Sequence, residues 1–521
     1  MKGRINKKVS CFLVGEDSMA DRCMKAILES GYDLLGVCSP TENVVAFAEQ
    51  KGIPHTNSLQ VLKDRMRETE CDFLFSISNT RILDKELIEL PRVFSINYHN
   101  APLPKYAGVH ATSQAILNDE RVHGATWHVI EEGVDTGDIL KQVIVDVDNE
   151  DTNFTLDMKC MEKSISSFRE LLDELKNGTY TKTKQDMSLR SYYTMYQKPE
   201  NFAVISGEFS AQDVYRIYRA TSFLGYANRM TLPKFVIKDL VFFAQKIDIL
   251  DKKGRYPAGT LVEISKDYLR ISTKTNDIAL SHLRNFNNVE YSAQEFAEMY
   301  NLREGDQLTS FDPDFLRRLR EQAELLAKHE PFWVRVLEKV VGLNFWIPTS
   351  PGAKTSFFRE ITVFSEDLLE KLSLLFENAD ARTILETLLL VYLYRLNGCE
   401  NYSLGYRTKY RGAEKTDVFF EDTVPMNVVF TPETDFEQAL VFVADLFGKT
   451  DSRLTFSRDI TLRYPQLTDH TTPLPIAVGT VRPEKFDADL FFEIKDRSII
   501  VHTCDKLNEI GHRIVENIFG H

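Results

Sequence analysis

The sequence predicts an α/β protein in which a doubly wound, mostly parallel sheet is followed by a small β-barrel and a C-terminal α+β lobe. Over the first 190 residues, short apolar runs alternate with amphipathic helical segments, as in parallel strands joined by crossover helices. From about residue 200, short strands are separated by turns rich in Asp, Lys and Gly, which indicates an OB-like barrel. We therefore predict domains at residues 1–190, 205–308 and 330–521.

The first domain begins with a buried strand at residues 9–14 and a turn into a helix that ends near Gly31. This turn has one glycine and lacks the Gly-x-Gly-x-x-Gly pattern, so no dinucleotide site is predicted. An amphipathic helix at residues 154–175, stopped by Asn177-Gly178, closes the domain. The remaining apolar runs are predicted strands at residues 34–38, 73–77, 93–96 and 126–130.

The later elements are shorter. A helix preceded by Ser210 runs through Arg219, and a charged helix at residues 314–328 leads into the third region. The predicted barrel strands are residues 241–243, 259–264 and 268–271. In the third region we predict a helix at residues 383–396 and strands at residues 356–363 and 424–430.

Composition indicates an ordinary soluble enzyme. The 521 residues are 43% hydrophobic, enough for sizeable cores, and the net charge of −14 argues against a nucleic-acid surface built on overall charge. The seven cysteines are scattered and never spaced Cys-x-x-Cys, which fits reduced thiols in a cytoplasm and predicts neither a disulfide framework nor a metal site. No apolar run is long enough to cross a bilayer. We predict a cytoplasmic protein that binds neither metal nor membrane.

One group of polar residues indicates which reaction the protein could catalyse. Asn97 and His99 lie two apart at the exit of the strand at residues 93–96, so both side chains can point the same way. Asp135 lies in a turn-rich Gly-Val-Asp-Thr-Gly segment after the strand at residues 126–130. An amide, an imidazole and a carboxylate are the groups that acyl transfer to an amine requires. The amide steadies an oxyanion, the imidazole moves a proton, and the carboxylate orients the imidazole.

Each piece alone also has a structural interpretation. A single Asn-x-His is most often a cap or loop pair, and Asp-Thr-Gly-Asp alone is an ordinary turn. Three further histidines lie close by in the sequence. We interpret His123 as loop surface and His128 as a structural strand residue, whereas His110 could line an acceptor channel.

The combination resembles the catalytic core of the 10-formyltetrahydrofolate-dependent formyltransferases. The resemblance rests on Asn-x-His at 97–99, Leu-Pro-x-Tyr-x-Gly at 103–108 and the Asp-x-Gly turn at 135–137, in that order. Residues 205–308 resemble the small C-terminal barrel of the same family. Ala101 and Ala107 depart from the serine and arginine that are usual in the family, and this variant is most similar to the formylation domains that open nonribosomal peptide synthetases.

The resemblance implies roles for the matched residues. Asn97 donates to the formyl oxygen, His99 takes a proton from the attacking amine, and Asp135 either holds His99 or relays the proton itself. The co-substrate is 10-formyltetrahydrofolate, without a metal, and Pro104 is a candidate cis proline. The implied folate-binding residues form two segments, Arg81, Ile82 and Leu83, and Glu131, Glu132, Gly133 and Val134.

The C-terminal third resembles half of a condensation domain. The matching pieces are Pro331-Phe332-Trp333, the helix at residues 383–396, and Val424-Pro425-Met426-Asn427. The His-His-x-x-x-Asp motif of condensation enzymes is absent, because no two histidines are adjacent in the sequence. The resemblance therefore implies a lobe without the condensation active site.

Three functions follow from these expectations. The first is an N-formyltransferase that acts on an aminoacyl group held by a carrier protein, with adenylation and carrier domains as partners. The second is an N-formyltransferase for a free amine, such as a nucleotide-linked amino sugar, or for methionyl-tRNA. The third is a non-catalytic scaffold on the same fold. An intact set of Asn97, His99 and Asp135 disfavours the scaffold, and the C-terminal region favours the carrier-bound acceptor.

Overall fold

The chain divides into two compact units. The computed structural model describes residues 8–252, 255–343, 359–362, 366–376, 379–408, 410, 412, 416–467, 474–481 and 488–503. The first unit comprises residues 1–197 and 212–224, and the second comprises residues 198–211 and 225–521. Cys504 and the outer residues of the predicted strand at 356–363 lie outside the described residues.

The first unit is an α/β domain. Its strands are β1 (Ser10–Gly15), β2 (Asp33–Cys38), β3 (His55–Thr56), β4 (Phe73–Ile77), β5 (Phe94–His99), β6 (Ala107–Gly108), β7 (Val122–Val129), β8 (Ile139–Asp146) and β9 (Tyr192–Tyr193). Its helices are α1 (Asp17–Glu29), α2 (Glu42–Gln50), α3 (Leu59–Glu68), α4 (Lys85–Glu89), α5 (Ala111–Leu117), α6 (Asn153–Asn177) and α7 (Ala211–Ala220). A short 3-10 helix covers Met187–Leu189.

The main sheet of this unit has seven strands in the order β3-β2-β1-β4-β5-β7-β8. The pairings from β3 to β5 are parallel, and β5–β7 and β7–β8 are antiparallel. Alternate residues of β1 face opposite sides: Leu13 packs in a core with α1 and α6, and Phe12 packs in a core with α3 and α4. Helices therefore cover both faces of a mostly parallel sheet, and the α/β prediction is confirmed.

Helix α6 shows why the sequence folds as it does locally. It begins at a capping box in which Thr152 and Thr155 satisfy each other's backbone N–H groups. It ends where Gly178 adopts a φ of +70°, a backbone conformation that glycine reaches without a steric penalty. Phe168 lies on its buried face and stacks on Trp127 of β7 at 4.4 Å between ring centroids. The helix predicted at residues 154–175 is thus observed, slightly longer.

The second unit contains two further sheets. Its strands are β10 (Val204–Ile205), β11 (Lys234–Ile237), β12 (Leu240–Ile249), β13 (Leu261–Ile264), β14 (Tyr268–Ile271), β15 (Ile278–Arg284), β16 (Glu290–Tyr291), β17 (Arg359–Thr362), β18 (Asn401–Arg407), β19 (Thr423–Val429), β20 (Ile476–Gly479), β21 (Leu490–Ile494) and β22 (Ile499–Thr503). Its helices are α8 (Ala293–Met299), α9 (Pro313–Ala327), α10 (Glu330–Leu337), α11 (Glu366–Leu375), α12 (Ala381–Asn397), α13 (Phe436–Ser452) and α14 (Ile460–Arg463), with 3-10 helices at Glu200–Ala203 and Pro465–Leu467.

These sheets lie where the barrel and the lobe are predicted. The first is mostly antiparallel, in the order β10-β11-β12-β15-β14-β13, with β16 paired to β15. The second mixes parallel and antiparallel pairs in the order β17-β22-β21-β20-β18-β19. The helix predicted at residues 383–396 is α12, which begins after the Asp380 cap and ends at Gly398. Closure of the first sheet into a barrel, the condensation-like character of the lobe and the predicted domain boundaries stay predictions.

A cluster of buried charges lies within the second unit. Lys234 of β11 and Asp459 are both fully buried, with 2.9 Å between Nζ and Oδ2. Arg463 contacts Asp459 at 2.8 Å and donates two hydrogen bonds to Glu330, which also accepts one from the Tyr464 hydroxyl. Burial lowers the pKa of Lys234 to about 8, although Asp459 opposes that shift. Each charge in this cluster thus depends on a partner distant in sequence.

Three further findings concern the described residues as a whole. Among them, no helix combines the length and the apolarity needed to cross a membrane. The six cysteines in the described part of the chain are free thiols. No group of three or more His, Cys, Asp or Glu side chains in the same residues is arranged to hold a metal ion.

Candidate active site

Strand β5 presents Asn97 and His99 in the middle of the sheet. It is an apolar strand between β4 and β7, in which Asn97 pairs with Ser76 on one side and with His128 on the other. The two side chains are two residues apart and so project to the same face. His99 is the last residue of the strand and is 7% exposed.

The backbone of the following loop fixes the orientation of the His99 ring. Nε2 of His99 lies 2.8 Å from the carbonyl oxygen of Tyr106. A carbonyl can only accept, so Nε2 carries a proton, and in the neutral ring Nδ1 is the basic nitrogen. The loop that supplies this carbonyl contains the Leu103–Pro104 peptide bond, which is cis as predicted.

Asp135 lies beside the basic nitrogen of His99. Its Oδ2 is 3.6 Å from Nδ1 of His99 and accepts a hydrogen bond of 2.8 Å from the backbone N–H of Gly108. Asp135 has a φ of +52°, in the left-handed region that aspartate tolerates better than most residues. The contact of 3.6 Å is too long for a hydrogen bond, so Asp135 acts on His99 by charge, and the Tyr106 carbonyl orients the ring.

His128 connects Asn97 to Asp135. Its Nδ1 donates to the Val129 carbonyl at 2.8 Å, and its Nε2 lies 3.1 Å from the Asn97 amide nitrogen and 3.4 Å from Oδ1 of Asp135. The structure therefore brings the three predicted catalytic residues together through a fourth, His128. On sequence alone, His128 is interpreted as a structural strand residue. Its position opposite Asn97 on the neighbouring strand is a tertiary feature that the single sequence does not reveal.

His123 differs from its sequence interpretation. It lies within β7, is fully buried, and donates from Nε2 to the Asn100 carbonyl at 3.0 Å. The prediction of a loop-surface position was wrong, because β7 begins earlier than the apolar run that indicated it. Burial lowers the pKa of His123 to about 4. His110 precedes helix α5 in a left-handed conformation.

Burial and charge act in opposite directions on the two central groups. Burial lowers the pKa of His99, and the Asp135 carboxylate and the Tyr106 carbonyl offset part of that shift. Burial favours the neutral acid of Asp135, but His99, His128 and the Gly108 N–H outweigh it and hold the pKa well below its usual range. A neutral imidazole thus lies beside an ionised carboxylate, which is the combination that a general base requires.

The first predicted folate segment follows β4. Ile82 is 93% exposed, whereas Leu83 packs against the core that contains Leu87. Arg81 is held in place by hydrogen bonds to the Asn57 and Cys38 carbonyls and by Glu16, 3.6 Å away. The segment therefore offers a fixed backbone and one apolar side chain to a ligand.

The second predicted folate segment precedes Asp135. Glu131, Glu132, Gly133 and Val134 are all exposed, and the Val134 side chain is 53% exposed. A Cβ on Gly133 would lie 2.5 Å from the Thr136 hydroxyl, so this loop is tightly folded. In the described structure no hydrogen bond joins this segment to the segment at Arg81.

Known proteins match this part of the chain. The family model described as formyl transferase matches residues 32–172, which contain all of the site described above. Residues 32–172 are thus similar to a formyl transferase domain. The chain is accordingly an enzyme of formyl transfer.

Two curated relatives each match about half of the chain. The methionyl-tRNA formyltransferase of Clostridioides difficile is 24% identical over 287 residues, or 52% of this chain and 90% of that protein. The methionyl-tRNA formyltransferase of Caldicellulosiruptor saccharolyticus is 27% identical over 244 residues, or 47% of this chain and 76% of that protein.

Two solved structures cover a similar share of the chain. An N-formyltransferase from Helicobacter canadensis, in complex with folinic acid and dTDP-3-aminofucose, is 21% identical and covers 54% of this chain and 100% of its own, with a TM-score of 0.43. HypX from Aquifex aeolicus, in complex with tetrahydrofolic acid, is 13% identical and covers 58% of this chain and 50% of its own, with a TM-score of 0.42.

Proposed function

We propose that this protein transfers the formyl group of 10-formyltetrahydrofolate to a primary amine, with Asn97, His99 and Asp135 as its catalytic residues. The observation that carries the proposal is the meeting of the three side chains around His128, inside the segment that the formyl transferase model matches. Because the chain is an enzyme of formyl transfer, the proposal sets aside the alternative of a non-catalytic scaffold.

His99 serves as the base in this proposal. The amine nitrogen attacks the formyl carbon, and the new carbon–nitrogen bond replaces the bond between that carbon and the donor nitrogen. Nδ1 of His99 takes the proton that the amine loses and returns one to the departing nitrogen. Asp135 remains ionised 3.6 Å from Nδ1 and stabilises the imidazolium that forms, and the Tyr106 carbonyl keeps the ring in place.

Asn97 serves as the oxyanion donor. Its amide nitrogen carries two hydrogens, and one of them points to Nε2 of His128. No described residue accepts the second hydrogen, which is available to the formyl oxygen as negative charge develops there. A donor of this kind typically contributes about 10²–10³ in rate.

The donor binds, in this proposal, along the two exposed segments that flank the site. Ile82 and Val134 supply apolar surface, and backbone groups of Arg81, Leu83 and residues 131–133 supply hydrogen bonds to the ring. Ile82 is 93% exposed and Val134 is 53% exposed, so both side chains are accessible to a ligand.

The proposed acceptor is an aminoacyl group on a carrier protein, as in the initiation of nonribosomal peptide synthesis. Two observations support this choice over methionyl-tRNA or a free amino sugar. The net charge of −14 is a poor match for a polyanion. The match to the methionyl-tRNA enzymes covers only 52% of this chain, and a small free amine does not need the additional surface of the remainder.

The test is an acceptor panel. Purified protein is given 10-formyltetrahydrofolate with aminoacyl carrier proteins, free amino acids, nucleotide-linked amino sugars and methionyl-tRNA, and a mass increase equal to one formyl group is followed by mass spectrometry. We expect fastest transfer to an aminoacyl carrier protein. Faster transfer to the sugar or the tRNA would replace the acceptor proposal, and no transfer to any amine would overturn the donor reaction. Asn97→Ala serves as the matched inactive control.

A further inference from the structure

A segment after helix α6 contacts two loops of the candidate active site, the loop that contains Tyr106 and the loop that contains Asp135. Residues 183–193, which we name the strap, contain a 3-10 helix and the short strand β9, and belong to the same compact unit as the site. Most of their contacts with the two loops are to main-chain atoms. The strap lies outside the matched residues 32–172 and outside the motifs that indicated the function.

The first half of the strap holds the loop that carries Asp135. Thr183 exchanges two backbone hydrogen bonds with Ile139, of 2.8 and 2.9 Å. The Gln185 amide nitrogen donates to the carbonyls of Asp135 and Gly137, at 2.8 Å each. Both N–H groups of this side chain are thus used, and its Oε1 is buried and accepts nothing from the described residues. Gln185 contacts the loop only as a double donor.

Arg190 extends this contact to the predicted folate segment. Its Nη2 donates to the Val134 carbonyl at 2.8 Å, and its guanidinium lies 5.5 Å from the centre of the Tyr192 ring. Arg190 also affects the protonation of His99, because its positive charge lowers the pKa of that imidazole. Asp135 raises and His128 lowers the pKa of His99, and His99 in turn lowers the pKa of His123.

The second half of the strap holds the loop that orients His99. The Ser191 hydroxyl accepts from the Tyr106 N–H at 2.8 Å, and β9 pairs in parallel with β6. The rings of Tyr193 and Tyr106 stack at 5.8 Å between centroids, with 9° between their planes. The strap therefore sets the position of the Tyr106 carbonyl and of the Gly108 N–H, which fix His99 and Asp135 respectively.

We propose that Gln185 and Arg190 are positioning residues that hold the Asp135 loop in its catalytic conformation. This inference rests on the proposed function for its effect on rate, but its effect on the loop can be measured without any substrate. Misplacing a catalytic group by about 1 Å costs on the order of 10² in rate, so a modest loosening of the loop is enough to matter.

Three variants separate the parts of the proposal. Gln185→Leu keeps the approximate volume and removes both donors. Arg190→Lys keeps the charge but not the planar fork, and Arg190→Ala removes both. The matched control is Arg65→Ala, because Nη1 of Arg65 donates to the His55 carbonyl at 3.2 Å in the same unit, in a contact with none of the site loops.

Hydrogen exchange on the free protein is the first measurement. We expect Gln185→Leu and Arg190→Ala to accelerate exchange of the amides of residues 106–109 and 131–139, whereas Arg65→Ala leaves them unchanged. All variants should unfold in denaturant within a narrow range of midpoints. Unchanged exchange in both strap variants would overturn the proposal, even if the wild-type protein formylated no acceptor at all.

Kinetics is the second measurement. We expect Gln185→Leu to lower kcat about 10-fold to 10²-fold. Arg190→Ala should raise the KM for the formyl donor and move the acid limb of the pH–rate profile to higher pH, because a positive charge near His99 is lost. Arg190→Lys should change the KM without moving that limb. Equal losses in all variants, in proportion to the folded fraction, would show that the strap is only structural and would overturn the positioning role.

Discussion

The two ring nitrogens of His99 have different partners, and this difference defines its chemistry. Nε2 is tied to the Tyr106 carbonyl, and Nδ1 lies beside Asp135 at 3.6 Å. In the familiar serine-protease arrangement the carboxylate accepts a hydrogen bond from the nitrogen that does not react. Here a backbone carbonyl takes that role, so in the proposed mechanism the carboxylate is free to stabilise the charge that appears on Nδ1.

Removing the Asn97 or the His99 side chain should therefore lower the rate of formyl transfer without unfolding the protein. We expect Asn97→Ala and His99→Ala each to lower kcat by at least about 10². The measurement is steady-state formyl transfer at saturating donor, with thermal unfolding as a check on folding. His55→Ala, which removes an intermediate-exposure histidine of β3 remote from these contacts, is the control. Near-wild-type turnover would exclude the substituted residue from the mechanism.

The pH dependence follows from the charges around His99. Burial lowers its pKa, so the neutral base persists below the ordinary imidazole range, and the acid limb of the rate profile should lie below about 6.5. Asp135 raises that pKa, because its negative charge favours the imidazolium. In Asp135→Asn the acid limb should thus move to lower pH while the maximal rate falls. The same acceptor is used for both proteins, since its own protonation then cancels, and a limb that moves upward would contradict the assignment.

At the level of secondary structure, Gly108 is the residue on which β6, β9 and the Asp135 loop depend. It has a φ of +95°, and a Cβ there would lie 2.1 Å from the Tyr193 carbonyl. Its N–H is also the donor that fixes Asp135. One position thus joins backbone conformation, strand pairing and the placement of a proposed catalytic group.

Gly108→Ala should impair activity more than backbone strain alone explains. We expect a loss of stability of about 1–3 kcal/mol and a fall in kcat of at least 10-fold. Gly52→Ala is the matched control, because Gly52 has a φ of +66° but nothing within 4 Å of an added Cβ. The measurements are urea unfolding and steady-state transfer. Equal effects of the two substitutions would show that the contact with Tyr193 is unimportant.

The predictability of these elements from sequence follows their physical origin. Strand β5 and helix α6 were predictable because apolar runs, a cap and a terminal glycine are local signals. The roles proposed for Asn97, His99 and Asp135 came from a motif. No sequence motif marks His128 or the strap. His128 matters because of its contact with Asn97 on the neighbouring strand, and the strap side chains bind main-chain carbonyls, which every residue type possesses.

At the scale of the whole molecule, the buried charges of the second unit join segments that are far apart in sequence. Lys234 belongs to the sheet of the predicted barrel, whereas Glu330, Asp459 and Arg463 belong to the C-terminal region. Apolar contacts connect the same segments, since Phe202 and Val236 share a core with Leu319 of α9 and Phe420. The pattern of predicted strands and helices divides this part of the sequence into a barrel and a lobe. That pattern contains no information on these long-range pairs.

Asp459→Asn should therefore destabilise the second unit strongly. It leaves Lys234 and Arg463 buried without the carboxylate, and we expect a loss of about 3–5 kcal/mol in the free energy of unfolding. The measurement is denaturant unfolding followed by hydrogen exchange in β11 and α14. Asp445→Asn is the control, because that carboxylate forms an exposed pair with Lys449. A difference below about 1 kcal/mol between the variants would show that the buried pair contributes little.

The dependence of the strap on main-chain carbonyls has a consequence for the evolution of this enzyme. Gln185 and Arg190 bind oxygen atoms of Val134, Asp135 and Gly137 that persist whatever side chains those loop positions carry. The exposed side chains of Glu131, Glu132 and Val134 are thus free to mutate without loss of the loop conformation. New ligand preferences can accumulate there while the catalytic geometry is inherited unchanged, which makes these three positions the natural targets of a randomised library.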